Sequence, residues 1–124
     1  MLSNAQAVFT MPEIEQLGLS EYFDDIFISS DVGVKKPEPL FFGKLLQKHS
    51  LEPSKTVMVG NDFFADMGIA LACGTAGAHI NSDRLSARKR EEQKKMLETE
   101  YGRSTENIFE FQSIRDMLNA FREI

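Results

Sequence analysis

Apolar and polar positions alternate along the chain in blocks whose period switches between helix-like and strand-like. Residues 11–19 read as a short helix: Thr10 and Glu13 have capping-box spacing, Pro12 falls in the first turn, and Gly18 is a stop signal. Ile26, Phe27 and Ile28 form a compact β-prone run ending in the polar Ser29, Ser30 and Asp31. Pro39 opens a second helix, with Phe41, Leu45 and Leu46 at helical spacing and an end near His49. Residues 56–59 form an apolar strand closed by Gly60, and a helix over 63–72 follows, ended by Gly74. Residues 75–80 make a weaker strand and 108–111 a short final one. A last helix over 113–122 presents Ile114, Met117, Leu118 and Phe121 on one stripe. This order predicts an α/β fold with a mainly parallel sheet flanked by helices.

The most polar stretch is 84–100, and residues 88–95 contain no apolar side chain. Glu91 with Lys95 and Arg88 with Glu92 are spaced i,i+4, which supports a solvent-facing helix. A lid or partner surface is the sharper alternative. No internal repeat is present.

Composition adds bounds rather than detail. The 124 residues suit one domain with a single core, and 42% hydrophobic residues, including ten Phe and six Met, can fill it. A net charge of −5 gives no footprint for nucleic acid or an anionic membrane surface. Cys73 is the one cysteine, so no internal disulfide can form, as fits a reducing cytosol. No apolar run approaches the roughly 20 residues that span a bilayer, and the opening Met1, Leu2, Ser3 and Asn4 lack a signal-peptide pattern. The expected location is the cytoplasm.

Three places carry chemistry. Gly33 to Pro39 follows a strand and precedes a helix, and Pro37 and Pro39 bias Lys36 and Glu38 towards extended backbone. A lysine fixed there can offer a compact charge to phosphate, although a solvated lysine in a Pro-rich turn has the same local sequence. In the stretch from Val57 to Asp66, an apolar strand enters a glycine turn with Asp62 at its end and Asp66 four residues on. Two such carboxylates suit Mg²⁺, which binds through one or two of them plus water and substrate phosphate. The bland alternative makes Asp62 a helix N-cap and Asp66 an exposed first-turn acid. Ser3 and Asn4, just before a helix, make a weaker anion-binding candidate.

In this order the segments resemble motifs II, III and IV of the haloacid dehalogenase superfamily, over about residues 2–80. Leu2, Ser3 and Asn4 are similar to motif II, whose Ser or Thr binds the transferred phosphoryl group. Residues 29–42 resemble motif III of the subgroup with a helical cap, in which Lys36 rather than Lys35 takes the role of stabilising phosphate and nucleophile. Val59, Gly60, Asn61 and Asp62 with Asp66 resemble motif IV, the source of acidic Mg²⁺ ligands. Asn61 stands where many members have the acid, and charge favours Asp62 as the ligand. The resemblance implies a Rossmann-like core, Mg²⁺ as cofactor, and a small phosphorylated metabolite as substrate. The site set it implies is Ser3, Asn4 and Lys36 for phosphate, with Ser3 and Lys36 also catalytic, and Asp62 and Asp66 for metal.

Motif I, the Asp-x-Asp that supplies nucleophile and general acid/base, has no counterpart in the chain. Asp24 and Asp25 are adjacent and poor substitutes. The expectation is therefore that residues 1–124 form the C-terminal portion of a hydrolase core, without the motif I strand and cap, and inactive alone. The competing reading is a non-catalytic phosphate- or partner-binding module completed by another chain. Self-association, or pairing with the missing half through an exposed sheet edge, goes with either. A receiver-like signalling domain fits less well, because it needs an acidic pair where Ser3 and Asn4 stand.

Overall fold

In the computed structural model, which describes residues 1–123, the strands are shared between two units, Met1–Ser50 and Leu51–Ile124. Length alone suggests one core. The chain divides because its strands pair in two separate sheets, and all of the pairs are parallel.

In the first unit, β1 (Leu2–Ser3) pairs with β2 (Phe27–Ile28), with Ser3 opposite Ile28. Helix α1 is Ala7–Gln16, starting earlier than capping-box spacing suggests, and Thr10 is not its cap. The reason is tertiary: the Ala5 and Ala7 N–H groups donate to the hydroxyls of Ser29 and Ser30, at 3.1 and 2.8 Å. Pro12 consequently lies inside the helix, where it removes one N–H from the ladder. The chain reverses at Gly18, whose φ of +67° is the left-handed conformation glycine tolerates. Ser29 and Ser30 are not the polar end of a strand but open a short helix, α2 (Ser29–Val32). Helix α3 (Pro39–Lys48) begins on its proline as expected and buries Phe41, Phe42 and Leu46.

The second unit is a three-stranded sheet in the order β3 (Val57–Gly60), β4 (Ala76–Ile80), β5 (Ile108–Phe111). The expected helix after β3 is divided into a π-helical turn, Phe63–Met67, and α4 (Gly68–Cys73), which ends at left-handed Gly74. On one face Phe63, Met67 and Leu71 pack with Ile108 and with Leu97 of α5 (Ala87–Tyr101). On the other, Met117 of α6 (Ile114–Arg122) packs with Ala78, Ile80 and Phe111. Of the α6 stripe only Met117 is buried; Ile114 and Leu118 stay exposed.

Helix α5 faces solvent over most of its length, as expected, but turns one stripe inward. Leu97 is buried, and Arg90, Gln93, Lys94 and Tyr101 on the same stripe are half-buried. Arg88 does pair with Glu92, at 3.2 Å, but Glu91 meets Lys94 at 3.6 Å rather than Lys95. Leu97 and Tyr101 seat this largely polar helix on the core. No helix among the described residues is long and apolar enough to cross a membrane.

Candidate functional site

In the first unit, β1 ends at half-buried Ser3, and the next residue reaches across to the Pro-rich segment. Asn4 donates through Nδ2 to the Lys36 carbonyl at 2.9 Å, and its Oδ1 accepts the Lys36 N–H at 2.7 Å. Ser3, Asn4 and Lys36 are thus gathered at one end of the β1–β2 pair. Lys36 is half-buried, whereas Lys35 is exposed. The Asn4 side chain, a phosphate-binding candidate, spends both of its polar ends on this clasp. Two backbone donors at the α1 entrance are engaged as well, since Ser29 and Ser30 accept from Ala5 and Ala7. An open cavity of about 380 Å³ adjoins them, lined by Ala5, Gln6, Ser29, Ser30 and Lys35 among others.

In the second unit, Asp62 follows β3 in extended backbone and caps the π-helical turn, its Oδ1 accepting the Ala65 N–H at 3.0 Å. That much matches the capping reading. Asp66 does not match it: the residue is only 4% exposed, and its Oδ2 accepts the Asp62 N–H at 3.1 Å. The carboxylate folds back over Gly60, where an added Cβ would stand 2.0 Å from Oδ2. Gly60 is therefore the room in which Asp66 lies. The neighbouring Asn61 amide donates to the Ser82 hydroxyl at 3.3 Å.

Asp62 and Asp66 supply two hard carboxylate groups from one turn, each with one oxygen accepting a backbone N–H, and among the described residues no three or more His, Cys, Asp or Glu converge. Two carboxylates without a closed cage fit an ion that keeps several waters and takes phosphate oxygens.

Sequence reasoning missed a set of polar side chains beside this turn. His79, 1% exposed, has Nε2 3.1 Å from the Asn61 carbonyl and Nδ1 2.9 Å from Glu110 Oε1. Glu110 also pairs with Arg90, whose guanidinium donates to the Leu85 carbonyl at 2.6 Å. The available signal was a lone histidine in an otherwise apolar strand. Arg90 gave none, being one charge among many.

Elsewhere, Asp25 is held by Lys48 at 2.7 Å and by His49 at 2.6 Å. The Lys48 and His49 hydrogen bonds lower its carboxyl to about 2.

A family model described as haloacid dehalogenase-like hydrolase matches residues 1–80. The chain belongs to this family. Its relatives include a glyceraldehyde 3-phosphate phosphatase from Methanothermobacter thermautotrophicus, 29% identical over 89 residues, which are 72% of this chain and 39% of that protein. A phosphoglycolate phosphatase from Vibrio vulnificus is 31% identical over 68 residues, 52% of this chain and 30% of that one. A ribulose-1,5-bisphosphate 5-phosphatase from Halopiger xanaduensis is 33% identical over 72 residues, 58% and 30% of the two chains. The chain thus spans well under half the length of these curated relatives. Among solved structures, the magnesium-bound HAD-hydrolase YfnB from Bacillus subtilis has a TM-score of 0.75 at 17% identity, covering 98% of this chain and 46% of its own. A HAD-superfamily hydrolase from Ehrlichia chaffeensis has a TM-score of 0.71 at 24% identity, covering 98% and 48%. Both share the α/β fold of parallel strands flanked by helices that the sequence predicts.

Proposed function

We propose that this chain is the phosphate- and Mg²⁺-binding portion of a cytoplasmic phosphatase for a small phosphorylated metabolite. The observation that carries this reading is the Asp62–Asp66 turn, with the Asp66 carboxylate seated over Gly60. The phosphatases among its relatives support it. Lys36 offers its ammonium to the phosphate, and the Ser3 hydroxyl donates to a phosphoryl oxygen. Asn4 acts through the Lys36 backbone that it clasps. Asp62 and Asp66 hold the metal, which when bound neutralises charge on the phosphoryl oxygens.

The nucleophile is not among these residues. No Asp-x-Asp occurs in the sequence, and Asp25 is committed to Lys48 and His49. Purified chain with Mg²⁺ should therefore release no nitrophenol from p-nitrophenyl phosphate. Mg²⁺-dependent release that Asp62→Ala abolishes would overturn the inactivity. Unchanged Mn²⁺ binding in both Asp62→Asn and Asp66→Asn would overturn the metal assignment.

A second reading is a non-catalytic module completed by another chain. Among the described strands β1 pairs only with β2, and β3 only with β4, so each keeps an edge open to pairing. Val57 and Val59 on β3 are also exposed. Sedimentation that shows association rising with concentration favours this module. A monomer throughout the micromolar range counts against it.

A further inference from the structure

The peptide group joining Asn61 to Asp62 is held from both sides. Its carbonyl faces His79 Nε2 at 3.1 Å, and its N–H donates to Asp66 Oδ2 at 3.1 Å. Because a peptide unit is planar and its carbonyl and N–H point opposite ways, it cannot rotate without straining both bonds. The seat of the Asp66 carboxylate and the direction in which Asp62 leaves the chain are therefore linked to the imidazole.

The imidazole is itself fixed. Gly60, His79 and Glu110 are register partners in one row across β3, β4 and β5. Phe63 packs edge-on against the ring, with centroids 5.1 Å apart. The Asn61 carbonyl can only accept a hydrogen bond, so Nε2 carries a proton. On its other side the ring is held at Nδ1 by the Glu110 carboxylate, itself paired with Arg90. A buried ring held by a partner at each nitrogen is an oriented strut, whereas an apolar side chain would fill the space without fixing the peptide.

We propose that His79, oriented by Glu110 and Arg90, is a positioning residue for the Asn61–Asp62 turn and thereby for the two carboxylates. This inference rests on the metal-site reading given above. Outer groups that orient metal ligands commonly change affinity when lost.

The test uses the purified chain and Mn²⁺ as the probe, read by electron paramagnetic resonance. It is paired with hydrogen exchange at the Asp62 amide in metal-free protein. His79→Phe keeps a ring but removes both nitrogens that hold it. Glu110→Gln, at a half-exposed position, keeps the shape and weakens the hold on the imidazole. Both variants should weaken Mn²⁺ binding by about tenfold or more and speed Asp62 exchange, while the Leu97 amide stays protected. A merely structural histidine would lower thermal stability and leave Mn²⁺ affinity of the folded protein unchanged. If Asp66→Asn removes Mn²⁺ binding but His79→Phe and Glu110→Gln leave it intact, positioning is overturned and the metal site stands. If wild-type chain binds no Mn²⁺, the metal reading fails, and the Asp62 amide decides alone. Unchanged exchange in both variants then overturns the positioning role.

Discussion

The side chain of Asn4 grips the backbone of Lys36 at both ends, donating to its carbonyl and accepting its N–H. The two residues are 32 positions apart, so one amide joins the end of β1 to the loop that presents the lysine. An asparagine suits this task because it carries a donor and an acceptor side by side, matching one residue's N–H and C=O.

Removing the clasp should therefore cost stability as well as position. Asn4→Ala loses two solvent-exposed hydrogen bonds, at about 0.5 kcal/mol or somewhat more each. Urea unfolding should show a loss of about 1 kcal/mol. Asn4→Asp keeps only the acceptor, sets a carboxylate against the Lys36 carbonyl, and should fall at least as far. An Ala variant as stable as wild type would show that the clasp contributes nothing.

At Gly60 the expected effect is on the metal rather than the fold alone. A Cβ would sit 2.0 Å from Asp66 Oδ2, so in Gly60→Ala the carboxylate must leave its seat. Mn²⁺ affinity should fall by about tenfold or more, and the Asp62 amide should lose its acceptor. Affinity equal to wild type would refute the seat.

Gly43 is the opposite case. It lies inside α3, and a Cβ there meets nothing within 4 Å. Gly43→Ala should raise stability by about 0.5–1 kcal/mol, because glycine loses more freedom on entering a helix. A destabilised variant in a thermal melt would contradict that.

Helix α5 offers a paired test of its packed face. Leu97 is 1% exposed within the second unit's core, whereas its neighbour Met96 is 59% exposed. Leu97→Ala should cost about 2–5 kcal/mol, and Met96→Ala should stay within about 0.5 kcal/mol. Equal effects in denaturant titrations would restore the solvent-facing picture of this helix.

For Asp25 the prediction is a pH dependence with a definite sign. Its carboxyl is lowered to about 2 by Lys48 and His49, against about 3.9 in an unfolded chain. A depressed carboxyl stabilises the fold above the unfolded value and loses that contribution as pH falls through the folded one. The stability gap between wild type and Asp25→Asn should thus be full above about pH 4 and close towards pH 2. A gap that does not change over this range would sink the assignment.

Most element positions were legible because they depend on period and local stop signals. Pro39 and Gly74 bound their helices as the chain's own chemistry dictates, and the run from Val57 to Gly60 reads as a strand wherever it is placed. The start of α1 was not legible, because its caps are hydroxyls more than twenty residues away. Nor was the seating of α5, since its packed stripe mixes Leu97 and Tyr101 with Arg90, which pairs with Glu110, and so lacks the apolar period that pattern reading seeks.

Residue order pointed to the family, to most of the strands and helices, and to the candidates Lys36, Asp62 and Asp66, since spacing along one chain carries these signals. Folding set what surrounds them. It buried Asp66 over Gly60, turned the Asn4 side chain onto Lys36, and set His79 against the Asn61 carbonyl. Each of these depends on a hydrogen bond or a close approach fixed by folding, with bond directions that residue types and their order do not specify.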